Sequence, residues 1–308
     1  MMNKKLTIVS VPIVTYNSSK TIIETLDSVY NQTYPTIELI VSDDCSTDDT
    51  VKVCRAWIEQ NKNRFVRTEI LTVEKNTGVS ANCNRAEAAC RGEWVKGIAG
   101  DDKLLPNCIE EFVNFVSVNQ EATYVFCRLE GFGRCQEELD EYMNRCFDYS
   151  FFSLTPEEQY HRLVFKGNCL PAPAMFYNRK RAQEDAFGND ERIPMVEDYP
   201  KWMRMTKAGV KFYFIDKQLV SYRLSDTSIS TTTTPSQRAR QSSAMIYIYY
   251  QFKPRFHYYN SPIKKLGEMR KYIHAANTAW GGWFWKTIKG IDYVFAKTLN
   301  LFGAKLKL

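Results

Sequence analysis

The first hundred residues alternate between strand-like and helix-like patterns. Residues 6–14 form an apolar, β-branched run, and a polar segment follows at 15–17, as expected for a buried strand that ends in a loop. Ser18 or Ser19 then stands where a helix cap belongs. The next apolar residues share one helical face: Ile22, Leu26 and Val29. The pattern therefore predicts a strand, a loop and a helix in that order.

This alternation is repeated along the chain. Further strands are predicted at 37–42, 69–73 and 94–98, with helices that begin near 46–49 and span 80–91. Such a series is typical of an α/β fold with a mostly parallel, Rossmann-like sheet flanked by helices and connected by right-handed crossovers. Because ligands bind these sheets at the carboxyl ends of the strands, we expect a ligand site where the following loops meet.

The second half of the chain is less regular. The pattern predicts a helix at 109–118 and a strand at 123–129, and then assigns nothing up to residue 148. A later helix is expected at 202–208. Two short strands are predicted after it: 210–215 and 218–222.

A low-complexity, threonine-rich segment from Thr231 to Pro235 predicts a flexible joint. We therefore expect an α/β domain at 1–230 and a helical C-terminal extension at 231–308. Residues 262–308 hold nine lysines and arginines against two acidic residues, a net charge of +7, with aromatic residues interleaved. Such a tail suits an anionic membrane surface. The other interpretation is a subdomain that packs on the catalytic body or forms a homo-oligomer, and nucleic acid fits poorly because no recognised binding motif accompanies the charge.

Composition narrows the class of protein. With 44% hydrophobic and 25% charged residues among 308, the chain is neither disordered nor a polytopic membrane protein. No stretch reaches the roughly 20 apolar residues that a membrane-spanning helix needs. The nine cysteines are odd in number, show no C-x-x-C spacing and follow no signal-peptide pattern. We therefore expect a reduced, cytoplasmic location, with the tail at the inner face of the cell membrane.

Two acidic pairs follow predicted strands. Asp43-Asp44 ends the second strand, and Asp101-Asp102 follows Gly100 after a later one. Each pair alone is also consistent with a solvated turn or a helix cap. Converging at one sheet edge, however, they would form a nucleotide site, in which carboxylates accept hydrogen bonds from a base or ribose and hold magnesium or manganese on phosphates.

A third acidic pair, Glu197-Asp198, precedes an amphipathic helix. It is consistent with a helix N-terminus stabilised by the macrodipole, or with a general base that takes a proton from an attacking hydroxyl. Other chemistries have little support, since the chain has no P-loop, dinucleotide, H-E-x-x-H or G-x-S-x-G motif and has only three histidines.

These residues resemble glycosyltransferase family 2, whose members have the GT-A fold. The motifs occur in the family's order over residues 6 to about 225: Val14-Thr15-Tyr16-Asn17, then Val41 to Asp48, Asn76-Thr77-Gly78 with Asn82 to Ala86, Ala99-Gly100-Asp101-Asp102, and Glu197-Asp198-Tyr199. Each motif alone is weak, and the ordered set is specific. The resemblance implies an inverting hexosyltransferase that uses a nucleotide-sugar donor.

The resemblance also implies roles for individual residues. Tyr16 and Asp44 would contact the base and ribose, Asp101 and Asp102 would hold Mn²⁺ or Mg²⁺ on the diphosphate, and Asp198 would be the catalytic base. The residues expected to bind the nucleotide-sugar are Thr15, Tyr16, Asn17, Asp43, Asp44, Asn76, Gly78 and Asp101. The implied reaction transfers a sugar, from a UDP-sugar in our reading, to a growing surface polysaccharide or a lipid-linked oligosaccharide.

The chain departs from the family's pattern at two positions. Ala99 stands where many members have the first aspartate of Asp-x-Asp-Asp, and Tyr222-Arg223-Leu224-Ser225 lacks the histidine that some members carry there. Both departures remove a potential metal ligand. Two other functions remain open: a sugar-phosphate nucleotidyltransferase, which would need a Gly-rich loop after the first strand, and a non-catalytic scaffold with the same fold.

Overall fold

The computed structural model describes residues 7–185, 188–193 and 196–224, together with residues 250, 253–255, 264, 265 and 267. The chain divides into two units, Met1–Thr233 and Thr234–Leu308. The description below concerns the first unit. Our predictions for the joint, the helical extension and the basic aromatic tail fall almost entirely outside the described residues.

The strands and helices of the first unit follow the order βαβαβα over its first ninety residues. The strands are β1 Val9–Thr15, β2 Ile37–Asp43, β3 Arg67–Thr72, β4 Trp94–Val95, β5 Ile98–Ala99, β6 Lys103–Leu104, β7 Tyr124–Phe132, β8 Met175–Asn178 and β9 Tyr213–Arg223. The helices are α1 Ile22–Tyr30, α2 Thr50–Asn61, α3 Val79–Ala89, α4 Cys108–Val118, α5 Gln136–Cys146, α6 Pro156–Lys166, α7 Arg179–Asp185 and α8 Asp198–Lys207.

All nine strands form one sheet, in the order β3-β2-β1-β4-β8-β7-β9-β6, with β5 paired to β1. The pairings of β1 with β2, β4 and β5, of β2 with β3, and of β7 with β9 are parallel. The pairings of β4 and β7 with β8, and of β6 with β9, are antiparallel. The predicted α/β fold with a mostly parallel sheet is therefore confirmed.

The buried faces of the strands and helices explain this order of strands in the sheet. Every residue of β2 is buried, as expected for a central parallel strand covered on both faces. Helix α1 buries Ile22, Leu26 and Val29, the three residues that the sequence placed on one face. The sheet edge at which β1, β2 and β3 end carries the loops of the candidate site.

Three predicted elements differ from the structure. The strands expected at 210–215 and 218–222 are one strand, β9, because register shifts opposite Arg128 absorb the polar residues between them. The strand expected at 94–98 is interrupted into β4 and β5 by Lys96-Gly97. Helix α1 begins at Ile22 with Thr21 as its N-cap and no side-chain cap hydrogen bond, whereas Ser18 lies one turn earlier and accepts hydrogen bonds from the Thr21 and Ile22 amides at its carbonyl.

Candidate active site

The loops after β1 and β2 are bonded directly to each other. Asn17 has a left-handed backbone, with φ of 52°, which asparagine tolerates better than most residues. Its Oδ1 accepts a hydrogen bond from the Thr47 amide at 2.8 Å, and its amide donates to Ser46 Oγ at 2.7 Å. Tyr16 is 51% exposed at the tip of this pair of loops. Its ring is thus available to a ligand while its neighbours fix the backbone.

Asp43 belongs to the support of these loops. Its carboxylate is 1% exposed and accepts hydrogen bonds from Thr15 Oγ1 at 2.9 Å and from the Ser46 amide at 2.8 Å. Thr15 in turn accepts bonds from the Asp44 amide and from Asn82 at its carbonyl. Asp43 and Thr15 therefore lie beneath the ligand-facing surface.

Asp44 holds a third loop to the same edge. Its carboxylate is only 2% exposed, and it accepts hydrogen bonds from the amides of Thr77 and Gly78 and from Arg85 Nη2 at 3.1 Å. Gly78 has φ of 88° at the start of α3, and its amide also lies 3.1 Å from Asn76 Oδ1. Asp44 thus joins β2 to the 76–78 loop.

The Asp101-Asp102 turn is fixed against β1 and α1. Gly100 donates to the Val14 carbonyl at 2.9 Å, and a Cβ at this position would lie 2.8 Å from Thr15 Cγ2, so only glycine fits without a shift. Thr21 and Thr25 of α1 donate to the carbonyls of Gly100 and Asp102. The acidic turn therefore lies beside the loop that carries Tyr16.

The two carboxylates of this turn have different surroundings. Asp102 is 2% exposed and accepts a hydrogen bond from the Arg223 amide at 2.8 Å. Asp101 is partly exposed, and no other residue within the described chain donates to its carboxylate. Burial raises the pKa of Asp101, and burial together with the Asp101 charge raises the pKa of Asp102 well above its usual range. Asp101 is thus the more accessible acid.

The carboxylates of this turn meet only some of the requirements of a divalent-cation site. Among the described residues, no group of three or more acidic, cysteine or histidine side chains could hold a metal ion. Two adjacent carboxylates, of which Asp101 accepts no hydrogen bond from another described residue, nevertheless suit a hard cation that a substrate diphosphate also binds. Asp101 and Asp102 would supply the protein ligands, whereas Arg223 supports the turn as a hydrogen-bond donor, through its amide to Asp102 and through Nε to the Asp101 carbonyl.

Asp198 is the first residue of α8. Its Oδ1 accepts a hydrogen bond from the Tyr199 amide at 2.6 Å, and its Oδ2 accepts one from Asn168 Nδ2 at 2.8 Å. Burial raises the pKa of Asp198, and burial together with the Asp198 charge raises the pKa of Glu197 to about 7. A carboxylate with a raised pKa accepts a proton more readily near neutral pH.

Helix α3 lies between the two acidic regions. Asn82 donates to the Thr15 carbonyl at 3.2 Å, and Glu87 forms an ion pair with Lys201 of α8 at 3.2 Å. Cys83 interacts electrostatically with Glu197 and Asp198. The structure thus brings α3 against both the loops after β1 and β2 and the Asp198 region, while the described residues show no direct contact between Asp198 and the Asp101-Asp102 turn.

The motifs did not predict every residue that supports the site. Arg85, Asn168 and Arg223 contact Asp44, Asp198 and the acidic turn, respectively. Arg85 falls within a quoted motif, but no pattern shows which acid it will meet. The other two contacts join residues 30 and about 120 positions apart in the sequence, beyond the reach of local patterns.

Comparison with known proteins agrees with this geometry. The model of the family described as glycosyl transferase family 2 matches residues 10–186. The chain belongs to glycosyl transferase family 2. The match covers β1 through α7 and therefore includes the loops after β1, β2 and β3 and the acidic turn.

Individual relatives show how far the likeness extends. TuaG of Bacillus subtilis, named as a teichuronic acid biosynthesis glycosyltransferase, is 25% identical over 73% of this chain and 82% of its own length. The Escherichia coli UDP-Glc:alpha-D-GlcNAc-diphosphoundecaprenol beta-1,3-glucosyltransferase WfaP is 24% identical over 77% of this chain and 85% of its own. Staphylococcus aureus TarS 1–349 in complex with UDP-GlcNAc superposes with a TM-score of 0.60 at 19% identity, covering 87% of this chain and 81% of TarS 1–349.

The TarS likeness shows the fold, and the family match shows the enzyme class. The chain is thus a GT-A-fold glycosyltransferase. Within the described residues, no helix combines the length and apolar character needed to cross a bilayer.

Proposed function

We propose that this glycosyltransferase transfers a hexose, with inversion, from a UDP-sugar to a hydroxyl of a growing surface polysaccharide or lipid-linked oligosaccharide. The observation that carries the proposal is the meeting of three loops and one acidic turn at a single sheet edge, with exposed Tyr16 and partly exposed Asp101 on its surface. This is the edge where parallel sheets bind nucleotides.

The exposed residues at this edge of the sheet would bind the nucleotide-sugar donor. Tyr16 offers a ring to the base, and the Asp101-Asp102 turn faces the charged part of the donor. Thr15, Asn17, Asp43, Asp44, Asn76 and Gly78 would act mainly by fixing the loops, since their polar atoms already bond to one another and to neighbouring loop residues. The UDP preference is supported by WfaP, whose name specifies UDP-Glc, and by the UDP-GlcNAc complex of TarS.

Asp198 would act as the catalytic base in a single-displacement reaction. The acceptor oxygen forms a bond to the anomeric carbon, the bond from that carbon to the diphosphate oxygen breaks, and the hydroxyl proton passes to Asp198. The diphosphate departs with the electron pair of the broken bond. The hydrogen bonds from Tyr199 and Asn168 hold the Asp198 carboxylate in a fixed orientation, and one such base suffices for inversion.

A divalent cation, Mn²⁺ or Mg²⁺, is part of the proposal. Asp101 and Asp102 would hold it, and it would offset the charge that develops on the departing diphosphate. Arg223 supports the turn by donating from Nε to the Asp101 carbonyl at 2.8 Å, so the two carboxylates stay in place whether or not a cation is bound.

The acceptor and the cellular location are proposed from the relatives and the tail. WfaP is named for an acceptor linked to diphosphoundecaprenol, and TuaG is named for teichuronic acid biosynthesis. We further propose that the tail at 262–308, with its net charge of +7, brings a cytoplasmic enzyme to the anionic inner face of the membrane. Co-sedimentation with anionic vesicles tests this, because a chain ending near residue 260 should pellet less than the full chain.

The proposed function is tested by thermal shift with UDP, GDP, dTDP and CDP, each with and without Mn²⁺. A ligand that binds only the native state raises its melting temperature. We expect the largest shift with UDP and a further increase with Mn²⁺. A larger shift with another base would overturn the UDP assignment, and no shift with any nucleotide would favour the scaffold function.

A further inference from the structure

Lys96 is an unusual residue to find in the interior of this domain. Its side chain is 0% exposed, although lysine is rarely buried without a partner. It lies in the interruption between β4 and β5, where its amide still donates to the Ser10 carbonyl at 2.9 Å. A residue at this place could have been apolar, as its strand neighbours Val95 and Ile98 are. Burying an ammonium group is costly unless its hydrogen bonds are made.

The partners of Lys96 indicate what the ammonium group does. Nζ donates to the Gly97 carbonyl at 3.0 Å and to the Pro173 carbonyl at 2.5 Å. The ladder between β4 and β8 ends at Val95 and Tyr177. Lys96 therefore continues the connection beyond the last strand pair, from the strand interruption to the turn that precedes β8.

That turn is one end of a segment that reaches the proposed base. The segment at 167–174 begins beside Arg162, which donates to the Gly167 carbonyl at 3.1 Å. Near that end, Asn168 is exposed and donates to Asp198 Oδ2, and its own Oδ1 accepts the Leu170 amide at 3.1 Å. Lys96 holds the opposite end through Pro173. We refer to residues 167–174 as the base arm.

We propose that Lys96 is a positioning residue, which fixes the base arm and thereby sets Asp198 relative to the strand pair that leads into the Asp101-Asp102 turn. Only two residues, Ile98 and Ala99, separate Gly97 from Gly100 at the start of that turn. One buried ammonium group thus connects the backbone of the donor side to the arm that orients the base. This inference rests on the proposed function of Asp198.

The proposal predicts that turnover and donor binding will separate. In Lys96→Met the side chain keeps its approximate length and loses both carbonyl bonds. We expect UDP affinity in the presence of Mn²⁺ to change less than about twofold, while kcat for UDP release from UDP-GlcNAc or UDP-Glc, with water as acceptor, falls about tenfold or more, because small misplacements of catalytic groups are costly. Hydrogen exchange should increase in the peptide that covers residues 167–174.

Lys211→Met is a matched control. Lys211 Nζ also donates to two backbone carbonyls, those of Phe152 and Leu154, but it does not contact the base arm among the described residues. Lys211 is only partly buried, so we expect this variant to be no more destabilised than Lys96→Met and to show no selective loss of turnover. Asn168→Ala removes the hydrogen bond from the arm to Asp198 at an exposed position, so it should lower kcat even if Lys96→Met folds poorly.

The outcomes separate this inference from the proposed function. If wild-type protein binds no nucleotide and releases no UDP, the function of the site is wrong, whereas hydrogen exchange still tests the contact of Lys96 with the arm. If wild type is active and Lys96→Met matches Lys211→Met in turnover, or if exchange of residues 167–174 is unchanged, Lys96 is not a positioning residue. A loss of UDP affinity in proportion to turnover would also overturn the proposal.

Discussion

The acid pair that ends β2 and the acid pair that starts α8 look alike in the sequence but differ in their surroundings. Asp44 accepts hydrogen bonds from two backbone amides, a threonine hydroxyl and an arginine. Asp198 accepts one from Asn168 and one from the adjacent Tyr199 amide. Among the described residues, no other residue donates to the carboxylate of Glu197.

The difference teaches how to assign buried acids. A carboxylate surrounded by backbone donors is stabilised in its charged form and holds loops together. A carboxylate buried with few donors beside another acid has its pKa raised, as at Glu197 and Asp198, and can accept a proton. The first kind should matter most for folding and the second for turnover. The substitutions below test that division.

The largest effect is expected for Asp198→Asn. The amide keeps the shape of the carboxylate but cannot accept the acceptor's proton, so we expect turnover to fall by about 10²- to 10⁴-fold. The free energy of unfolding should change little, because the amide oxygen can keep one of the two hydrogen bonds and the removal of a buried charge offsets the loss of the other. UDP release from a UDP-sugar measures turnover, and urea unfolding measures stability. Near-wild-type turnover in this variant would reject Asp198 as the base.

The opposite pattern is expected for Asp44→Asn. The amide cannot accept all the donors that meet Asp44, and Arg85 loses its carboxylate partner. We therefore expect a loss of about 2–4 kcal/mol in the free energy of unfolding, measured by urea unfolding. Asp49→Asn is the control, since the Asp49 side chain is 73% exposed. Equal stabilities for the two variants would show that Asp44 does not hold the 76–78 loop.

Asp101→Asn should have effects of opposite sign on stability and on binding. The charge of Asp101 is partly buried and repels Asp102, so its removal should raise the free energy of unfolding of the ligand-free protein by about 0.5–1 kcal/mol, as is common at functional sites. The additional thermal shift that Mn²⁺ gives with UDP should disappear, because a proposed metal ligand is lost.

Two results would contradict this assignment of Asp101. One is a decrease in the stability of the ligand-free variant, which would mean that the carboxylate supports the fold. The other is an unchanged response to Mn²⁺ in the presence of UDP. Asp43→Asn offers a comparison at a buried acid with structural partners, and we expect it to be destabilised before any ligand is added.

Much of the fold could be predicted from the sequence because it depends on local periodicity. Each of β1, β2 and α1 has its own apolar pattern, and the order of these elements specifies a parallel sheet. The region at 130–148 could not be assigned, although its helix α5 is present, because its polar and aromatic residues give no clear stripe. Strand β9 was divided in two since its bulge depends on the register with β7.

The sequence predicted which residues belong to the candidate site better than it predicted what each of them does. Adjacent acids are visible in the sequence, but their hydrogen-bond donors come from distant segments, such as the Thr77 amide for Asp44 and Asn168 for Asp198. The same limit applies to Lys96, whose sequence position gives no sign that it meets Pro173. Tertiary contacts of this kind decide which acid supports the fold and which remains available to a substrate.

The effect expected for Glu197→Gln depends on pH. The pKa of Glu197 is raised to about 7 from an ordinary value of 4.5, so between these values the folded protein keeps a proton that the unfolded chain has lost. The free energy of unfolding of wild type should therefore fall as pH rises from 4.5 to 7, whereas glutamine does not titrate. We expect the variant's advantage to grow by about 1–2 kcal/mol over that range, an effect reduced because Glu197 is partly exposed. Above pH 7 the advantage should level off, because the carboxylate is then ionised in both states. Urea unfolding at pH 5, 6, 7 and 8 measures it. A difference in the free energy of unfolding that stays constant with pH would mean that the Glu197 carboxylate is ionised throughout this range. The contrast between the acid pair at α8 and the pair at β2 would then not extend to Glu197.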